Sequence, residues 1–190
     1  MADIKRVAIT VYYWPPSGGS GVQRWLFLVH YFAAQGMDVT VFVPKNPRVA
    51  QQDDALRQKV HQSITEVKVD GWEPLQHSSN PIGENLGGKR GIVKRFMLWV
   101  RANFFIPDAR VYWAKAATQA FLKQHKQNPF DVIITSGPPH SLHLIGLQAK
   151  QQSGILWIAD FRDPWTGFFQ NRSLPLSKKA KQKHQQLEQK

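Results

Sequence analysis

The stretch Tyr12-Tyr13-Trp14-Pro15-Pro16-Ser17-Gly18-Gly19-Ser20-Gly21-Val22-Gln23-Arg24-Trp25 decides the fold. The apolar run before it, residues 7–13, reads as a strand covered on both faces, and an amphipathic pattern begins at Val22, so the stretch is a strand-to-helix turn. Pro15 and Pro16 fix the backbone as it leaves the sheet. Gly18, Gly19 and Gly21 permit positive φ and place no Cβ in the way of a ligand. A helix that starts there aims its unpaired N–H groups at the turn, and an anion, above all a phosphate, is the guest such a turn accepts. A tight connection without any ligand would use the same glycines, so the cluster alone leaves both readings open.

Outward from the turn, Val22, Leu26, Val29 and Ala33 keep a helical spacing, and Gly36 is placed to stop the helix. Residues 39–43 form a second buried strand ended by Pro44, completing a βαβ unit whose crossover is expected to be right-handed. Residues 47–59 are polar, and residues 65–69 alternate like a short strand with one wet face. Residues 71–91, rich in Gly, Pro, Ser and Asn, read as a long loop. Pro107 is placed for the first turn of a helix that carries Val111, Ala114, Thr118, Phe121 and Leu122 and ends near Asn128-Pro129. A third buried strand at residues 132–135 leads into a helix through Leu142, Ile145 and Ala149, with Ser141 as its cap. A further buried strand is expected at residues 155–159. The alternation predicts an α/β fold, a Rossmann-like parallel sheet with helices on both faces.

Composition narrows the function. The 190 residues are 42% hydrophobic and 12% aromatic, which excludes a disordered chain. There is no Cys, hence no disulfide framework and no thiolate metal site, in keeping with a reducing compartment. No run approaches the roughly 20 apolar residues of a spanning helix, so a cytoplasmic protein, at most peripheral on the inner face of the membrane, is expected. A formal charge of +12 favours an anionic partner. Part of it belongs to a polar, lysine-rich tail (Lys178, Lys179, Lys181, Lys183, Lys190) that need only be solvated. The aromatic residues fall within strand and helix patterns and form no RNA-binding signature, so no nucleic-acid partner is expected.

Residues 92–104 change character. Ile92, Val93, Phe96, Met97, Trp99, Val100 and Phe104 share one arc of a helical wheel, with Lys94 and Arg101 opposite and Lys89, Arg90 and Arg95 nearby. Such a basic amphipathic helix either packs on the sheet or lies on an anionic membrane surface, with Lys94, Arg95, Phe96, Trp99 and Arg101 as the contact residues.

Three turns are expected at one edge of the sheet: residues 17–21, residues 136–141 and residues 160–165. Polar groups bunched at the carboxyl ends of parallel strands face the ligand crevice. An NAD fingerprint is absent, because Arg24 stands where a third glycine belongs and no acidic residue ends the second strand. Lys45 and Arg48 leave an NADP reading open. A kinase-type phosphate loop fails for want of Gly-Lys-Ser/Thr, and no metal-ligand cluster is read.

The segments Tyr13-Trp14-Pro15-Pro16-Ser17-Gly18-Gly19, Gln23-Arg24-Trp25, Ile106-Pro107-Asp108-Ala109-Arg110, Ser136-Gly137-Pro138-Pro139-His140 and Trp157-Ile158-Ala159-Asp160-Phe161-Arg162-Asp163-Pro164-Trp165 resemble, in this order, the amino-terminal domain of family 4 (group 1) glycosyltransferases. The resemblance implies a GT-B architecture of two Rossmann-like halves. Residues 1–171 would be the acceptor-side half, and residues 172–190 a linker or helix leading to a carboxyl-terminal domain that this stretch does not contain. It implies a nucleotide-diphosphate sugar as donor substrate with no cofactor, a glycan or lipid-linked acceptor, and a role in cell-surface polysaccharide or glycolipid synthesis. Ser17, Gly18, Gly19, Ser20, Gly21 and Arg24 would meet the donor phosphates. His140, Asp160, Arg162 and Asp163 would orient donor hydroxyls or the acceptor in a reaction driven by positioning and electrostatics. Tyr13, Pro16, Ser136, Gly137, Ser141 and Trp165 would line the cleft. The half present here is expected to be inactive alone. A non-catalytic module binding a nucleotide or an anionic lipid is the competing reading.

Overall fold

A computed structural model describes residues 4–47, 52–72, 89–167 and 174–190. Arg48, most of the expected loop at residues 71–91 and the expected boundary at residue 171 lie outside the described residues. Among the described residues five strands, β1 (Arg6–Thr10), β2 (Asp38–Pro44), β3 (Thr65–Val69), β4 (Val132–Gly137) and β5 (Leu156–Phe161), form one sheet in the order β3-β2-β1-β4-β5. Every pairing is parallel. The chain is therefore an α/β, Rossmann-like fold. Its strand order reverses between β1 and β4, and a crevice opens at the carboxyl ends of the strands at such a switch point.

The strand period of two sorts the core into two layers. Val7 and Ile9 of β1, Val39, Val41 and Val43 of β2, and Val132 and Ile134 of β4 meet α1 (Ser20–Ala34), which buries Val22, Trp25, Leu26 and Val29 against them. Each of these α1 side chains contributes about 1.5–3 kcal/mol relative to exposure. Ala8, Phe42 and Ile133 point the other way, onto α4 (Val111–Gln127) and α5 (Ser141–Ser153) through Trp113, Phe121, Leu142 and Ile145. A short α2 (Asp54–Gln58), capped by the Asp53 carboxylate on the Ala55 amide, interrupts the polar stretch expected at residues 47–59. Burial alone would raise the Glu66 carboxyl of β3, but hydrogen bonds from Arg57 and Trp14 and the charge of Arg57 hold it below its usual value.

Four expectations are corrected. β1 ends at Thr10, so residues 11–13 run beyond it at the carboxyl edge. α4 starts at Val111, not at Pro107, because the Asp108 carboxylate is engaged elsewhere and the Val111 amide bonds the Asp108 carbonyl in a turn before the helix. Ser141 lies inside α5, with His140 as its N-cap residue. β5 reads as apolar as β4 but is an edge strand. Trp157 is covered on the α5 side, where Gly146 leaves room for its ring, whereas Leu156 and Ile158 on the α1 side are 54% and 46% exposed.

α3 (Lys89–Phe104) and α6 (Lys178–Glu188) lie outside this sandwich and contact each other. The Asn103 side chain donates to the Pro175 carbonyl and accepts from the Ser177 amide. α6 docks on the loop after β5. Glu188 Oε1 accepts from the amides of Trp165 and Thr166 (3.1 Å each), and Trp165 Nε1 donates to His184 Nδ1 at 3.0 Å. Ala180 supplies its buried apolar contact.

Candidate functional site

At the start of α1, Gly19 is the N-cap residue with φ 106°, a conformation that requires glycine. The amides of Val22 and Gln23 turn back to the Gly19 carbonyl, and those of Ser20 and Gly21 open the helix. Gly18 is half-buried and Ser20 exposed. Ser17 is buried, with its amide on the Trp14 carbonyl at 2.9 Å. Gly21 has a different reason from Gly19. A Cβ there would lie 1.9 Å from Arg162 Nη1, so the space a ligand was expected to use at this glycine is filled by a guanidinium.

Arg162 is fixed by the turn after β4. Its amide and Nε donate to the Gly137 carbonyl at 3.1 and 3.3 Å, and its Nη2 donates to the Pro138 carbonyl at 3.1 Å. Nearby, Arg24 Nη2 of α1 meets Asp160 Oδ1 at 2.9 Å, and Asp160 Oδ2 accepts from Ser136 Oγ at 2.7 Å. The first turns of α1 and the carboxyl ends of β4 and β5 are thereby joined through side chains. Tyr13, Gly21, Trp25, Ser136, Pro138 and Arg162 are among the residues that enclose a recess. It has room for about one water molecule.

No model of a known protein family matches the chain, and no curated protein matches it.

The four residues expected to do chemistry fall into two groups, and along β5 the strand alternation decides which. Asp160 and Arg162 point to the α1 side, beside Gly21. Phe161 points to the α5 side and stacks on His143 with ring centroids 4.0 Å apart. His140 belongs to that second cluster, parallel to the Trp165 ring at 5.2 Å, and Asp163 is close enough to act on its charge. Trp165 and Ser141, expected along the cleft, are buried beneath it. Trp165 is held by α6, and Ser141 donates its amide and hydroxyl to Asp108, each at 2.9 Å. Tyr13 and Pro16 are half-buried at the edge, and Gly137 contributes its carbonyl to Arg162.

Burial is the main cause that lowers the imidazoles of His140 and His184, against the pull of Asp108 and Glu188 on both. It takes His143 furthest, to about 4, with the His140 charge adding to it and Asp160 opposing. These rings are neutral at pH 7, so the second cluster packs and hydrogen-bonds rather than holding an anion by charge. Among the described residues, no group of three His, Cys, Asp or Glu stands together to hold a metal ion.

Three contributors escape a reading of the sequence. Asp108 falls in a recognisable segment but its partner Ser141 is remote in the chain, and Glu188 and His184 lie in a tail whose composition looked merely solvated. The proline before Asp108 is the one local signal of a fixed turn.

Proposed function

We propose that this chain is the acceptor-side half of a sugar-nucleotide-dependent glycosyltransferase acting in cell-surface polysaccharide or glycolipid synthesis. The observation that supports it is the place of Arg162. A guanidinium pressed against the amino-terminal turn of α1 sets a full positive charge beside the positive end of a helix dipole, an arrangement that a bound anion relieves. A diphosphate has the charge to sit between them. The recess is too small to swallow a sugar nucleotide, so the donor would lie across its mouth, clasped from the other side by a second domain. In that geometry Arg162 and the α1 amides stabilise the departing diphosphate, which is where charge develops. Asp160 holds Arg24 in place. Titration of the protein in its full natural length with a panel of nucleoside-diphosphate sugars tests the reading. Heat from one member supports it, and a flat response across the panel favours a module without transferase activity.

Gly21→Ala separates binding from folding. The new Cβ must displace the far end of a flexible side chain, and alanine's better helix propensity, about 0.5–1 kcal/mol, offsets the local strain. The melting temperature is expected to change by only a few degrees, while affinity for the sugar nucleotide falls at least about tenfold as the guanidinium leaves the helix terminus. Thermal melts and calorimetry on the same preparation check both halves.

A further inference from the structure

α3 carries its amphipathic pattern inside out. A helix that served only to cover the sheet would turn Phe96, Trp99 and Phe104 inward. Instead they are 63%, 39% and 69% exposed, with Ile92 at 70% and Val93 at 59%. Phe96 stacks on Trp99 at 6.2 Å and Trp99 meets Phe104 edge-on at 5.8 Å, so the exposed rings form one continuous strip. Arg101, from the polar side of the pattern, turns inward. Burial and the Arg110 charge lower its pKa, while Asp108 and Tyr13 oppose them.

We infer that the outer face of α3 docks in the plane of a bilayer bearing anionic headgroups. Charge complementarity selects this occupant. The helix sequence holds Lys89, Arg90, Lys94, Arg95 and Arg101 and no carboxylate, within a chain of net charge +12. Arg101 is withdrawn into the protein, and the exposed Arg95 stands beside the ring strip; the side chains of Lys89, Arg90 and Lys94 lie outside the described residues. An anionic bilayer offers both an acyl boundary for the rings and phosphate headgroups for the cations. The Asn103–Ser177 bond starts α6 beside the end of α3, and the exposed Lys178, Lys179, Lys181 and Lys183 add to the basic surface there. Among the described residues no helix is long and apolar enough to cross a membrane, so the contact is interfacial. The inference is independent of glycosyl transfer.

Co-sedimentation of the whole chain with phosphatidylcholine vesicles, with and without about one-third phosphatidylglycerol, tests it. Partition onto the anionic vesicles is expected to exceed that onto neutral ones at least about tenfold and to fall as salt rises. Phe96→Glu combined with Trp99→Glu should reduce binding at least about tenfold with an unchanged circular dichroism spectrum. Phe27→Ser with Tyr31→Ser, which removes exposed rings from α1, should leave binding intact. Equal partition onto both vesicle types, no partition, or indifference to the α3 variants would overturn the inference. So would a dimer in sedimentation equilibrium that the α3 variants dissolve, since the face would then serve a second copy.

Discussion

Asp108→Ala is expected to lower the unfolding free energy by about 2–4 kcal/mol, although Asp108 is only half-buried. Its carboxylate accepts from the Arg110 amide and from both the amide and the hydroxyl of Ser141, all at 2.9 Å. Ser141 is fully buried, so two of those donors have no water to turn to once the carboxylate is gone. The same charge also sits by Arg101 and Arg110, which the variant would leave facing each other. Asp108→Asn should recover part of the loss, since one side-chain oxygen still accepts but the amide nitrogen cannot. In a domain of this size the alanine variant corresponds to a fall of roughly 5–15 °C in melting temperature. Urea titrations of the three proteins check the order wild type, Asn, Ala; an alanine variant within about 0.5 kcal/mol of wild type would refute the assignment.

Acid should weaken the fold before its carboxylates are protonated. His143 has a folded pKa of about 4 against an unfolded value of 6.5. Above the unfolded value both states are neutral and the ring contributes no slope. As pH falls from about 6.5 towards 4, the unfolded chain binds a proton that the folded chain refuses, so stability is lost across that window. The gap corresponds to about 3 kcal/mol. His140 and His184 are shifted in the same direction and add to the loss. The carboxylates act the other way in pKa: Asp131 is lowered chiefly by the amides of Arg6 and Lys5, and its contribution, present above its unfolded value, disappears only at more acid pH. His143→Asn should therefore be less stable at pH 7, losing the stack on Phe161, yet flatten the decline between pH 6.5 and 4. Urea unfolding at a series of pH values reads this directly. A decline as steep in the variant as in wild type would place the proton elsewhere.

The parts of the fold that were legible are those set by local pattern. β1, β2 and β4 are covered on both faces, and their unbroken apolar runs say so. β5 carries the same kind of run, but hydrophobicity does not distinguish a covered strand from an edge strand, so Leu156 and Ile158 were expected inside. Gly19 announced a positive φ through its neighbours. Gly21 did not announce Arg162, because the contact depends on which side of β5 the residue after Phe161 emerges. That same alternation put Asp160 and Arg162 on the side of β5 away from the His140 cluster, although all of them stand at one sheet edge. The wheel of α3 was readable, but its orientation was not: periodicity gives the existence of an apolar face and tertiary contacts decide where it points.

The proposed function requires that the amino-terminal turn of α1 and Arg162 together receive a diphosphate. The most direct measurement is amide and guanidinium chemical-shift mapping by NMR as nucleoside diphosphates are added to the protein. Shifts that saturate together at Gly18, Gly19, Ser20 and Gly21 and at the Arg162 side chain, and that need at least about tenfold more ligand to saturate in Gly21→Ala, are the predicted result. Saturating shifts confined to other surfaces, or none at the start of α1 with any nucleoside diphosphate, would contradict the account.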